Sequence, residues 1–382
     1  MRTYLTKLNE IIQAATGKTA PAIRAQVRLK GETVYDICSG WLDPDEQKYP
    51  VRGDTFFDLA SVSKLFTTIT FMTLVEQGMV TLDQPVSTVL PQFTGLRPIR
   101  PYDDPLRWGE YIDPEPVTDD LVDAGKVTFR QLFSHNSGLP AWRRFKDQPN
   151  AAAARQLALE SDFFYPTGTR VIYSDVGLIL AGMANEKLTG MRLDEAVRER
   201  VTVPLGLCQT RYLPLESQPY NTENIAPTEL CAMRQYRVVG EVHDESTWRL
   251  GGIAGHAGVF STAPDLGRFG EMLLGGGLLT DSKTLLKPGT LDEMTTLQTQ
   301  NGDVRRGIGF MLRSPNAESF TFPFSLRSFG HTGFTGTSIW VDPEYELVVV
   351  LLSNRVYYGR NAEAISRLRV DFHRAVVETF TG

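Results

Sequence analysis

Cysteine is scarce, with three in 382 residues. Cys38, Cys208 and Cys231 are far apart, odd in number and form no CxxC pair, which points away from a disulfide framework or a zinc site. No stretch approaches the roughly 18 consecutive apolar residues of a membrane-spanning helix. The opening "MRTYLTKLNEIIQAATGK" lacks the continuous apolar run of a signal peptide, so a soluble, cytoplasmic protein is expected. Lys/Arg-rich runs are missing too. With a net charge of −6 and aromatics not interleaved with basic residues, neither nucleic acid nor an anionic membrane is expected as partner. Internal repeats, low-complexity segments and an interdomain linker are also absent.

What is present is the makings of a large core. Hydrophobic residues make up 42% of the chain and charged ones 22%, unlike a disordered sequence. Leu5, Leu8, Ile12 and Ala15 recur on one helical face. "AIRAQVRLK" and "ETVYDICSG" follow as strands of a hairpin turning at Gly31. The other end mirrors this: "SFGHTG", "TSIWVDP" and "ELVVVLLSN" predict three strands with turns at "GFTG" and "PEYE". A final helix from about Asn361 sets Ile365, Leu368, Phe372 and Val376 on one face. The fold class expected is α+β: an antiparallel sheet of about five strands from both termini, flanked by terminal helices. A mostly helical region is inserted, and a cleft between the two parts is the default site.

Within the insert, "SVSKLFTTITFMTLVEQG" places Val62, Leu65, Phe66, Ile69, Met72 and Val75 on one face, with a stop at Gly78. Asn150 is a candidate N-cap, and helices are expected to close at Gly190 and to start near Pro264. Residues 97–125, rich in Pro and Asp, read as a long surface loop near a substrate entrance.

Several motifs fail on context. "ATGKT" at 15–19 follows a helix and has Ile12 where a phosphate loop needs glycine. Gly252, Gly255 and Gly258 follow no βαβ unit. GxSxG and HExxH do not occur. "VHDE" at 242–245 clusters a histidine with two carboxylates, but adjacent side chains rarely point at one ion.

"LASVSKLFT" (59–67) carries Ser61 and, one turn later, Lys64. Residues three apart share a helix face, and a first-turn serine sits among unsatisfied N–H groups that can bind an oxyanion. Lys64 can take the serine proton only when neutral. By itself the pair also fits an ordinary helix start. "YSDVGLILAG" then presents Tyr173 just before a helix, and "GHTGFTGTSIWVDP" presents His331-Thr332-Gly333 on a strand expected at the sheet edge.

With these three motifs in order, the chain resembles the serine β-lactamase and penicillin-binding-protein superfamily, in its class C-like branch with many esterases and peptidases. "LFSHNSGLP" (132–140), "GHAGVFSTAPDLGRF" (255–269) and the terminal strands extend the resemblance over nearly the whole chain. It implies one catalytic domain, 1–382, whose sheet part is 1–58 and 325–382 and whose mainly helical part is 59–324. It implies Ser61 as nucleophile, Lys64 as base or relay, and Tyr173 as the catalytic tyrosine. His331-Thr332-Gly333 would stand for a Lys-Thr-Gly strand, with the N–H groups of Ser61 and Phe334 as oxyanion hole. A phenol of ordinary pKa about 10 acts as base only beside cationic Lys64. No cofactor or metal is implied; the partner would be a small ester, amide or D-peptide.

Two departures bear on substrate. Asp175 stands where β-lactamases of this branch have asparagine, and an ionised aspartate only accepts hydrogen bonds. Facing the cleft, it would pair with Lys64 and keep it protonated. His331 replaces lysine, and a histidine is mostly neutral above its ordinary pKa of about 6.5, so attraction for a carboxylate weakens. Both favour esters or amides over β-lactams. They also leave room for a non-catalytic binder or sensor, or for an acyltransferase using the same serine. His256 reads as a pocket wall or a backbone-bonding loop residue, Trp142, Arg143 and Arg144 as a subsite or a solvated basic turn, and His135 and Asn136 as braces.

Overall fold

The structure, a computed structural model, describes residues 2–381 apart from 105, 106, 108, 117–119, 281 and 282. Its frame is one antiparallel sheet. In chain order the strands are β1 (Ala22–Leu29), β2 (Glu32–Asp43), β3 (Lys48–Pro50), β4 (Thr299–Asn301), β5 (Val304–Arg306), β6 (Met311–Leu312), β7 (Phe329–Thr332), β8 (Ser338–Asp342) and β9 (Leu347–Ser353). Their spatial order is β4-β5-β6-β7-β8-β9-β1-β2-β3. The five expected strands form a contiguous block in the middle. Four short ones extend it and cover β7, which is therefore not an edge strand. With two or three residues each, β4 to β6 are too short for side-chain alternation to register in the sequence.

β1 joins the two chain ends, pairing with β2 on one side and with β9 on the other, from Ile23↔Ser353 to Leu29↔Leu347. At the β1–β2 turn Gly31 takes φ +82°, open to glycine without strain. β1 and β9 are buried on both faces and read as near-continuous apolar runs. On one face lie helix α1 (Arg2–Ala15) and the last helix, Glu363–Phe380, packed through Leu8, Ile12, Ile365, Leu368, Phe372 and Val376. Each such side chain contributes roughly 1.5–3 kcal/mol on burial. The other face carries the inserted helical region and the larger core.

α2 (Ser63–Glu76) is the centre of that region. The sequence suggested one buried face; the structure buries every residue from Ser63 to Leu74. Thr68 and Thr70 hydroxyls donate to the Lys64 and Phe66 carbonyls one turn back, whereas the buried Thr67 hydroxyl has no hydrogen-bond partner among the described residues. α3 (Asp175–Thr189) packs against α2, capped by the Ser174 hydroxyl and ended by left-handed Gly190. α4 (Ala263–Leu274) lies on β1 and β9, and Asn150 caps Ala151–Leu159 as expected.

The 97–125 segment is less of a loop than its composition suggests. Leu96–Pro98 pairs with Leu121–Asp123, and Tyr102–Asp103 with Tyr111–Ile112. No helix among the described residues is long and apolar enough to cross a membrane.

Candidate active site

Ser61 sits in a short 3-10 turn, Ala60–Val62, immediately before α2. Its position is fixed from three sides. Phe57–Asp58 pairs with Phe260–Ser261, and the Leu59 N–H bonds the Val259 carbonyl at 2.9 Å. Asp58 Oδ1 accepts the Ala60 N–H at 2.8 Å. Ala60 itself is left-handed at φ +46°, a conformation that costs a non-glycine residue about 1–2 kcal/mol. That kink presents Ser61, half-buried, at the cleft.

Lys64 lies one turn into the buried core, 1% exposed. Its Nζ donates to Ser61 Oγ at 3.0 Å and to the His256 carbonyl at 3.1 Å, and pairs with Asp175 Oδ1 at 2.7 Å. It also stands 4.8 Å from the centre of the Tyr173 ring. Burial pushes the ammonium toward neutrality, but Asp175 and Tyr173 outweigh it and hold Lys64 above its ordinary value. The amine is therefore a cation at rest. The effect expected of Asp175 is present.

Tyr173 is packed among rings and cations. His135 lies 4.8 Å and His331 6.0 Å from it, centre to centre. Arg306 stands over its ring at 5.2 Å. His135 Nδ1 accepts the Ser174 N–H at 3.1 Å, so it braces the tyrosine segment as the sequence suggested. His331 is buried and its Nδ1 donates to the Thr332 carbonyl at 2.8 Å. Burial, then Lys64 and Arg306, drive its titration well below the ordinary histidine range, so the ring is neutral.

The Thr332 hydroxyl donates to Met311 Sδ at 3.8 Å. Gly333 marks a close approach: a Cβ there would lie 2.1 Å from Thr337 Oγ1 and 2.3 Å from the Leu59 carbonyl oxygen. Thr335 and Thr337 hydroxyls reach the Asp58 and Leu59 carbonyls at 2.7 and 2.9 Å, clamping this turn to the serine loop. The N–H groups of Ser61 and Phe334 donate to no acceptor among the described residues. Gly333→Ala is expected to force the two loops apart, costing about 1–3 kcal/mol of stability and lowering turnover roughly 100-fold. Thermal melting and steady-state kinetics check both.

A cavity of about 310 Å³ opens beside these groups, walled by Ser61, Tyr173, Asp175, Phe334, Trp142 and His256 among others. Lys64, His331, Thr332 and Gly333 are not among its wall residues. His256 Nε2 meets Asp244 Oδ1 at 3.0 Å. Arg143 and Arg144 are not a solvated turn: Arg143 bonds Ser161 Oγ and the Asp162 carbonyl, and Arg144 pairs with Asp103 at 2.7 Å.

The "VHDE" side chains diverge, as adjacent residues do. His243 faces Glu229, Asp244 faces His256 and Glu245 faces Arg360. Glu229, Cys231 and Glu245 hold possible metal-ligand atoms within 4.8 Å of one another. Arg360 already bridges both carboxylates there, at 2.5 to 2.9 Å, so that cation place is filled.

The sequence reading missed Arg306. It is 8% exposed, has no ion-pair partner among the described residues, and leaves Nε and Nη1 without hydrogen bonds. It lies on the three-residue strand β5, where no motif marks it.

The fold is that of a serine hydrolase of the β-lactamase type, with buried Lys64 between half-buried Ser61 and Tyr173 at its cleft. The chain belongs to the Beta-lactamase family, whose family model matches residues 8–373. It is 29% identical over 335 residues to a putative D-alanyl-D-alanine carboxypeptidase of Escherichia coli (strain K12), covering 81% of this chain and 71% of that one. A protein of the same description from Salmonella typhimurium (strain LT2) is 28% identical, covering 80% and 71%. Among solved structures, a penicillin-binding-protein homologue from Caulobacter crescentus superposes with TM-score 0.72 at 20% identity, covering 98% and 97% of the two chains. EstCE1, a hydrolase with promiscuous acyltransferase activity, gives 0.74 at 20%, covering 98% and 99%. Unliganded simvastatin synthase from Aspergillus terreus gives 0.72 at 20%, covering 99% of each.

Proposed function

We propose that the chain is one catalytic domain hydrolysing uncharged esters or amides through an acyl-enzyme on Ser61. The observation that carries this is the buried Lys64 ammonium, bonded at once to Ser61 Oγ and paired with Asp175. An ammonium cannot accept the serine proton. Tyr173, flanked by Lys64 and Arg306, is the group left to take it. Ser61 Oγ attacks the carbonyl carbon as its proton passes to the oxygen of Tyr173 in its phenolate form, whose charge Lys64 and Arg306 balance, and the new oxyanion receives the N–H groups of Ser61 and Phe334. Collapse expels the alcohol or amine, which leaves with that proton. Water then frees the acid, or an acceptor alcohol or amine takes the acyl group.

Substrate choice follows from charge. Neutral His331 offers no cation to a carboxylate, and Asp175 repels one. Activated esters are expected to be turned over at least about tenfold more efficiently than a cephalosporin, a difference one missing ion pair supplies. The pH profile should show no inflection from His331 near the ordinary value of about 6.5. Comparable cephalosporin and ester rates in the purified protein would overturn this reading.

A second reading, a D-alanyl carboxypeptidase, is favoured by Arg306, a buried guanidinium that could answer a terminal carboxylate in place of lysine. It predicts that D-alanyl-D-alanine peptides beat esters, and that Arg306→Gln raises KM for the peptides alone.

A further inference from the structure

Arg369 lies on the last helix, on the far side of the sheet from the serine loop. Its side chain is nonetheless buried and reaches the β7–β8 turn. Arg369 Nη2 donates to the Gly333 carbonyl at 3.2 Å and to the Thr337 carbonyl at 2.9 Å. No carboxylate pairs with it among the described residues, and its Nε is unpartnered. Arg355 adds a second guanidinium, with Nε donating to the Phe334 carbonyl at 2.8 Å and Cζ 4.5 Å from the centre of the Phe334 ring.

The Gly333 and Phe334 contacts fall on two successive peptide units, one on each side of the Phe334 Cα. The Gly333 carbonyl that Arg369 holds belongs to the same amide as the Phe334 N–H. An amide whose oxygen is bound by a cation is polarised, so its N–H becomes a stronger donor. The next carbonyl along is held by Arg355, so the amide cannot rotate away from the cleft. A buried charge without a carboxylate is destabilising and needs a compensating role.

We propose that Arg369 is a positioning residue for the oxyanion hole: it orients and polarises the Gly333–Phe334 amide so that the Phe334 N–H binds the charge developing on the attacked carbonyl. Arg355 holds the following amide through the Phe334 carbonyl. The inference rests on the acyl-enzyme reading above, with Phe334 as one oxyanion donor. It adds a remote cation that no motif around Ser61 contains.

The test compares the full chain with Arg369→Met, Arg369→Gln and Arg369→Lys. Folding is followed by circular dichroism and melting, turnover with an activated ester, and tetrahedral-anion binding with a phenylboronic acid. Removing an oxyanion donor outright costs about 100- to 1,000-fold, so weakening one should cost roughly 10- to 100-fold in kcat. KM should stay within about threefold, because the ground-state carbonyl gains little from this donor. Boronate affinity should fall in parallel with kcat. Arg369→Lys should recover part of both; Arg369→Gln, which keeps a hydrogen bond without charge, should recover less.

A folded Arg369→Gln or Arg369→Lys with wild-type kcat and boronate affinity overturns the proposal. So does loss of activity that tracks only the folded fraction. If Arg369→Met does not fold, the Gln and Lys variants decide. If wild type itself shows no turnover or boronate binding beyond Ser61→Ala, the acyl-enzyme reading fails first and this inference falls with it. The two failures are therefore distinguishable.

Discussion

Ser61→Ala is expected to leave a folded protein with no measurable acyl transfer. Ser61 is half-buried and its hydroxyl receives one hydrogen bond, from Lys64. Its backbone N–H, which the oxyanion needs, survives the change. Loss of a serine nucleophile costs on the order of 10⁴- to 10⁶-fold in kcat, the residue of activity coming from the oxyanion site and binding. Incubation with a fluorophosphonate, intact mass and peptide mapping read this directly: one adduct on Ser61 in wild type and none in the variant. A folded wild-type protein that takes no adduct, from this probe or a smaller one, would move a non-catalytic sensor ahead of the hydrolase.

Lys64→Met should lower kcat by roughly 100- to 10,000-fold, because Tyr173 loses the cation that lets it act as general base. It should also destabilise the protein, for a different reason. Asp175, with its side chain 23% exposed, loses the cation 2.7 Å away and keeps a half-buried charge. Breaking a buried pair costs about 3–5 kcal/mol, and partial solvent access reduces that to roughly 2. Adding Asp175→Asn to Lys64→Met removes the stranded charge. The double variant should regain most of the melting temperature and none of the turnover. If it regained turnover, Lys64 would act only by holding Asp175 and have no part in the chemistry.

The parts of the fold that were legible in the sequence are those whose periodicity is long. α1, the β1–β2 hairpin, β7 to β9 and the last helix each present enough residues for a face to show. β4 to β6 do not, and with them went Arg306. The site was legible where spacing along one helix turn carries it, in Ser61 and Lys64, and where a motif abuts a helix start, in Tyr173 and Asp175. That Asp175 reaches Lys64 required the structure, since α2 and α3 meet only through packing. Arg369 was hidden by its setting. On an amphipathic helix an arginine beside Leu368 reads as the solvated flank, and only the packing of that helix brings its guanidinium to the β7–β8 turn.

The seam between β1 and β9 has a consequence for how the protein comes to exist in a cell. Ala22 and Asn354, which meet there, are 332 positions apart in the chain. A ribosome delivers roughly 5–20 residues each second, so the amino-terminal hairpin waits many seconds with one edge unpaired. Closing a contact of such high sequence separation is also slow. Ser61 emerges early, whereas Phe334, the proposed second oxyanion donor, follows 273 positions later. On the proposed mechanism a nascent chain stays chemically silent until Phe334 and its strands are in place, and its open strand edge makes it a natural client for chaperones.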